Sequence, residues 1–287
     1  MKKLITLCCF LLTAGFLKAQ EVPVFKKVVY PTGFSEQLNV VYAVANNWEG
    51  KMDLYLPSKE NGPSPVVINI HGGGWNKGSK ESQGGFNSFF KRGYAVANIA
   101  YRLSQQATAP AAVEDTRCAL IYLIKNAKAL NIDVNKIVIM GGSAGGHLAL
   151  MGGLLGNDTR FDTNCQGVKN VKVAAIIDKY GITEVPAWKS KSATQWLGDK
   201  AGDAEFAKSV SPLTYVNKNN PPVFIVHGDA DPIVPYQQSV DLHKKLNEMG
   251  VKNEFMTVEG GLHGKFPAEK NSEVNKRIVE FLKELGL

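Results

Sequence analysis

The stretch Ile137–Met151 reads IVIMGGSAGGHLALM, and it constrains this chain more than any other. Four consecutive apolar residues, Ile137 to Met140, suit a strand buried on both faces. Leu148, Ala149, Leu150 and Met151 suit a helix, and Gly141-Gly142-Ser143-Ala144-Gly145 lies between. A chain passing from buried strand to helix in one tight turn leaves no room for side chains two residues either side of its centre. Gly141 and Gly145 meet that demand. Such a turn holds Ser143 in a strained backbone conformation and lifts its hydroxyl above the end of the sheet. The following helix aims its positive end at the same place. A glycine-rich turn that merely opens a helix is the alternative, but the strand–turn–helix setting favours a nucleophile.

Around this unit, apolar runs alternate with helical patterns. Strands are expected at 51–57, 65–72, 94–101, 136–142, 173–181, 222–228 and 253–260. The run 65–72, PVVINIHG, is bounded by Pro65 and Gly72, as suits a strand buried on both faces. Between the strands, 111–130 places Val113, Leu120, Ile121 and Ile124 on a shared helical face. Residues 239–250 carry Val240, Leu246 and Met249 and stop at Gly250. A last helix carries the stripe Val274, Ile278, Phe281, Leu282 and Leu285. Buried strands alternating with amphipathic helices imply an α/β fold, a mostly parallel twisted sheet covered by helices on both faces. No repeat or low-complexity linker divides the chain, so 21–287 reads as one domain. Function in such sheets gathers in loops at the carboxyl ends of the strands.

A serine hydroxyl needs a base. Of the five histidines, His71, His147, His227 and His243 suit structural hydrogen bonding. His263 alone lies in a polar, glycine-flanked loop, EGGLHGKF, after the last strand, and is the expected base. The acid that orients it should follow the strand before, where HGDADPIVP offers Asp229 and Asp231. Asp229 leaves the strand at once and suits a turn; Asp231, farther over the sheet edge, is preferred. Asp178 and Glu184 fall outside this loop. The order Ser143, Asp231, His263 is that of the α/β-hydrolases.

The segment His71–Lys80, HGGGWNKGSK, admits two readings. A phosphate-binding loop needs Gly-Lys-Ser/Thr after its second glycine, and here Gly78 is followed by Ser79-Lys80, with lysine and hydroxyl exchanged. The better fit is an oxyanion loop, in which Gly73 and Gly74 donate backbone N–H groups beside Ala144. Lys80 is then expected at the surface. Trp75, Tyr180 and Trp188 are the candidate substrate contacts, with Trp196 and Tyr215 in the same 182–221 segment. Packing into the core is the competing role for these aromatic rings.

The first twenty residues have the layout of a cleaved secretory signal: Lys2 and Lys3, an apolar run from Leu4 to Leu17, and Ala19. The run is short for a membrane anchor, so stable insertion is not expected and a secreted or periplasmic protein is. Cleavage would remove three of the 33 basic and none of the 26 acidic side chains, leaving a net charge of about +4. That is too mild and dispersed for a nucleic-acid partner. Cys118 and Cys165 would remain, either bridged, as export favours, or as separate thiols. Cys-x-x-Cys and His-Glu-x-x-His are absent from the sequence, so neither metal nor cofactor is expected.

HGGGW, GGSAGGHLAL, HGDADPIVPY and GGLHG together resemble the bacterial esterase/lipase group of α/β-hydrolases related to hormone-sensitive lipase. The chain is most similar to its secreted feruloyl-esterase and acetylxylan-esterase-like members, the BD-FAE proteins. The resemblance implies a cofactor-free serine esterase acting on acetyl or feruloyl esters, small or on plant polysaccharides. An amidase or formamidase, a general short-chain carboxylesterase, and a catalytically dead binding protein of the same fold are the alternatives. The lipase-like relatives carry a substantial N-terminal cap, for which this chain has little room before His71. A site without a large cap suits an ester on a bulky polymer.

Overall fold

The computed structural model describes residues 25–287; the expected signal segment at 1–20 lies outside the described residues. The described residues form eight strands: β1 (Phe34–Ala45), β2 (Trp48–Pro57), β3 (Ser64–Ile70), β4 (Ala95–Ile99), β5 (Ile132–Gly142), β6 (Ala175–Lys179), β7 (Val223–Gly228) and β8 (Asn253–Val258). They form one sheet in the order β1-β2-β4-β3-β5-β6-β7-β8. β1 and β2 pair antiparallel, as do β2 and β4, and every other neighbouring pair is parallel. Parallel neighbours need crossovers, and helices supply them. The helices are α1 (Asn87–Phe90), α2 (Ala111–Leu130), α3 (Ala144–Leu154), α4 (Lys191–Leu197), α5 (Ala204–Ser209), α6 (Gln237–Glu248) and α7 (Ala268–Glu284).

Strand alternation splits the interior into two cores. Val66, Ile68 and Ile70 point with Ile137 and Ile139 toward α2, α3, α4 and α6. Val67, Val138 and Ile177 point the other way, toward α1 and α7. Each fully buried valine or isoleucine contributes about 1.5–3 kcal/mol, so the central strands hold both layers together. The expected helix at 111–130 is α2, with Val113, Leu120 and Ile121 buried. It stops where Asn131 enters the left-handed region, at φ 54°, a conformation that asparagine tolerates at helix ends.

Three features were not read from the sequence. β1 is an edge strand with three of its twelve residues buried; its apolar stretch Val40–Ala45 is interrupted by register shifts against β2 and is not among the expected strands. β5 begins at Ile132, four residues early, because Ser64 pairs with Ile132 across a register shift. Lys80, expected at the surface, is buried: its ammonium donates to both Asp53 oxygens at 2.8 Å and lies 2.7 Å from Glu81. The buried charge is held by two opposite ones, which is what burial of an ammonium requires.

Cys118, on α2, and Cys165 are bridged. A loop of 47 residues closed in the unfolded chain corresponds to about 4 kcal/mol on chain-entropy grounds. Replacing both cysteines with alanine is therefore expected to lower Tm by about 5–15 °C, read by thermal unfolding. An unchanged Tm would mean the bridge constrains nothing that matters.

Candidate active site

The turn after β5 has the geometry its glycines imply. Ser143 sits at φ 58°, ψ −125°, a region that costs an ordinary residue on the order of 1–3 kcal/mol. A methyl group on Gly141 would strike the backbone of Gly145, and one on Gly145 would strike the carbonyl oxygens of Ile70 and His71. Strand, turn and glycine loop are thus packed backbone to backbone. Main-chain N–H groups can approach the serine only because nothing larger intervenes.

His263, in the loop after β8, places Nε2 2.9 Å from Ser143 Oγ and Nδ1 2.6 Å from Asp231 Oδ2. The Asp231 side chain has no exposed surface. Burial alone would raise its pKa, but hydrogen bonds from His227, His263 and the Ile233 N–H outweigh that and hold it well below the usual carboxylate range. An ionised carboxylate only accepts, so His263 Nδ1 carries a proton. In the neutral imidazole, Nε2 then offers its lone pair to the serine hydroxyl.

Asp231 receives more support than the sequence suggested. Its Oδ1 accepts from the Ile233 and Val234 N–H groups, at 2.7 and 3.1 Å. Its Oδ2 accepts from a second imidazole, His227 Nε2, at 3.1 Å. His227 is wholly buried at the end of β7, with Nδ1 2.7 Å from Ser239 Oγ. The expected structural role for His227 thus acts on the acid itself. Its position four residues before Asp231, at a strand end, was the available signal. Asp229 is exposed and accepts from the Gly260 N–H at 2.7 Å, pinning the turn.

The glycine loop lies against the serine. Gly73 and Gly74 have φ of 118° and 59°, and a side chain on Gly73 would meet the Lys77 carbonyl. Among the described residues, the N–H groups of Gly73, Gly74 and Ala144 have no protein acceptor. His71 donates Nδ1–H to the Gly72 carbonyl at 2.8 Å and stacks on Tyr101 with ring centroids 4.2 Å apart. His147 is buried; its Nε2 donates to the Val210 carbonyl, and burial lowers its pKa to about 4. It is a neutral core histidine, as expected.

A cleft of about 440 Å³ opens over the serine, walled by Gly72–Gly74, Tyr180, Trp188, Ser192 and His263. Two of the three expected substrate contacts, Tyr180 and Trp188, line it. Trp75 does not. At φ 57° its backbone turns the ring inward, where it is fully buried and stacked on Trp196 at 4.3 Å. Its indole N–H donates to His147 Nδ1 at 3.3 Å. The wall expected from 182–221 is in place: Trp188 is anchored by its N–H on the Ile233 carbonyl, and Ser192 abuts Gly74.

Asp178, beneath the same turn, is wholly buried; its Oδ1 accepts from the Gly181 N–H at 3.0 Å and its Oδ2 has no partner among the described residues. Burial raises its pKa to about 7, against the opposing Gly181 bond. A carboxyl raised on folding contributes stability below its unfolded value near ~3.9 and loses it as pH climbs through the folded value. Asp178→Asn is therefore expected to stabilise the fold by on the order of a few kcal/mol at pH 8 and far less at pH 4. Thermal unfolding of both proteins across that range checks it; a gain independent of pH would contradict it.

A family model described as BD-FAE matches residues 52–246. The chain belongs to the BD-FAE family. The match spans the glycine loop, Ser143 and Asp231 but ends before His263, which only the folded chain brings to the serine. Among solved structures, the BD-FAE chain superposes on a truncated carbohydrate esterase from gut microbiota with TM-score 0.79 and 28% identity, covering 90% of this chain and 99% of that one. It is 26% identical to esterase LipC of Mycobacterium tuberculosis over 73% of its length and 54% of the relative's. It is 27% identical to the isoprenylcysteine alpha-carbonyl methylesterase ICME of Arabidopsis thaliana over 92% of its length and 63% of the relative's. The chain thus spans between half and two thirds of the length of these two relatives. The fold is that of the α/β-hydrolases.

Proposed function

We propose that this protein is an exported serine esterase that removes acetyl or feruloyl groups from plant polysaccharides. The observation that carries the reading is the continuous hydrogen-bonded relay Ser143–His263–Asp231 at the floor of an open cleft. Ser143 Oγ attacks the ester carbonyl while His263 Nε2 takes its proton. Asp231, fixed by four donors, stabilises the imidazolium. The N–H groups of Gly73, Gly74 and Ala144 receive the oxyanion, the main electrostatic contribution in such reactions. The alcohol leaves with the proton from His263. Water then loses a proton to His263 as it attacks the acyl-enzyme, and the acid departs as Ser143 recovers its hydrogen.

The carbohydrate esterase likeness and a cleft that is open among the described residues support a polymeric substrate, with Tyr180 and Trp188 flanking the acyl or sugar group. Export rests on the layout of the first twenty residues. The test is acetate and ferulate release from acetylated xylan and feruloylated arabinoxylan, beside hydrolysis of p-nitrophenyl acetate. Good turnover of the small ester with neither polymer attacked would remove the polysaccharide assignment and leave the esterase.

A further inference from the structure

The charge of the cleft says more about its substrate. Two lysines, Lys77 and Lys179, line the same cavity as Ser143 and His263, and among the described residues no aspartate or glutamate does. The one nearby carboxylate of the relay, Asp231, has no exposed surface and both its oxygens are occupied. Lys179 ends β6 directly beside the nucleophile: its Cα pairs with that of Gly142, and its carbonyl accepts the Ser143 N–H at 2.9 Å. Sheet alternation puts its side chain on the face of Ile177, where Asn69 also meets the cleft.

Among the described residues, neither lysine ammonium has an ion-pair or hydrogen-bond partner. Desolvation, with no compensating charge, pulls the Lys179 pKa below its ordinary value. Lys80 is the contrast, an inward lysine that this fold neutralises with Asp53 and Glu81. An unpaired ammonium in a partly desolvated cleft is costly, and that cost is relieved when an anion lies beside it.

We propose that the cleft selects esters that carry a carboxylate, which pairs with Lys179 and is steered inward by Lys77. This rests on the esterase reading and sharpens it to an anionic substrate. The carboxylate can sit on the acyl group, as in a dicarboxylic half-ester, or on the alcohol, as in an acylated uronic-acid sugar.

Matched pairs separate these sources. For the acyl side, kcat/KM is compared for p-nitrophenyl hydrogen succinate and p-nitrophenyl methyl succinate. For the alcohol side, acetate release is compared for acetylated oligogalacturonate and acetylated xylo-oligosaccharide. The same oligosaccharides are titrated by calorimetry into Ser143→Ala, where affinity does not depend on turnover. The charged member of one pair should be preferred at least about tenfold in rate or affinity. That preference should fall to near unity in Lys179→Met, return in Lys179→Arg, and shrink as salt is raised. Charged and neutral members treated alike, or a preference that survives Lys179→Met, would overturn the proposal. Inertness toward every ester, with anion-selective binding intact in Ser143→Ala, would sink the esterase reading and leave anion recognition standing.

Discussion

Ser143→Ala is expected to lower kcat on p-nitrophenyl acetate by about five to six orders of magnitude, with the residual rate set by the oxyanion N–H groups and binding alone. The size follows from removing the nucleophile altogether, since the proton relay then has nothing to deprotonate. Alanine adopts φ 58° no more willingly than serine, so the strain is retained and stability should change little. Equal Tm values for the two proteins would confirm that. Labelling by a fluorophosphonate, which needs only a live serine and its base, should disappear entirely. A variant that keeps a tenth of the rate would place the nucleophile elsewhere and undo the mechanism.

The parts of this site legible in the sequence are those imposed by local geometry. Gly141 and Gly145 betray a backbone contact that no larger residue permits, so the strand–turn–helix unit could be read from a dozen letters. His263 could be read from its isolation among polar and glycine neighbours. What depends on distant partners could not. Lys80 looked like surface because Asp53, which draws it inward, stands 27 residues away on β2. Trp75 looked like a substrate platform because it follows the glycine loop, yet a positive φ turns its ring onto Trp196, more than a hundred residues later. β1 passed unnoticed because its apolar stretch, Val40–Ala45, does not alternate: register shifts against β2 interrupt it, and Val41 and Val44 face solvent. Lys179 hid for the opposite reason: it ends an apolar strand, where a lysine looks like the edge of the core.

Asp231→Asn is expected to cost about four orders of magnitude in kcat, whereas Asp229→Asn should leave activity close to wild type and only loosen its turn. The two residues are separated by one alanine, so the contrast tests the acid assignment directly. Asparagine must put its NH₂ in place of one carboxylate oxygen. At the Oδ1 position it would face the Ile233 and Val234 N–H groups, which cannot cease to donate. At the Oδ2 position it would face His227 and His263, whose tautomers can adjust. The amide therefore turns its NH₂ toward the imidazoles. His263 then accepts at Nδ1 and carries its proton on Nε2, directed at Ser143, where it can no longer serve as base. Stability should respond as well. A carboxylate whose pKa is depressed by folding contributes stability above its unfolded value near ~3.9 and loses it as pH falls toward the folded one. Asp231→Asn removes that contribution, so the variant should lose less stability than wild type on acidification below pH ~4. Parallel acid titrations of unfolding would show it, and identical curves would mean that Asp231 is not the ionised anchor its four donors imply.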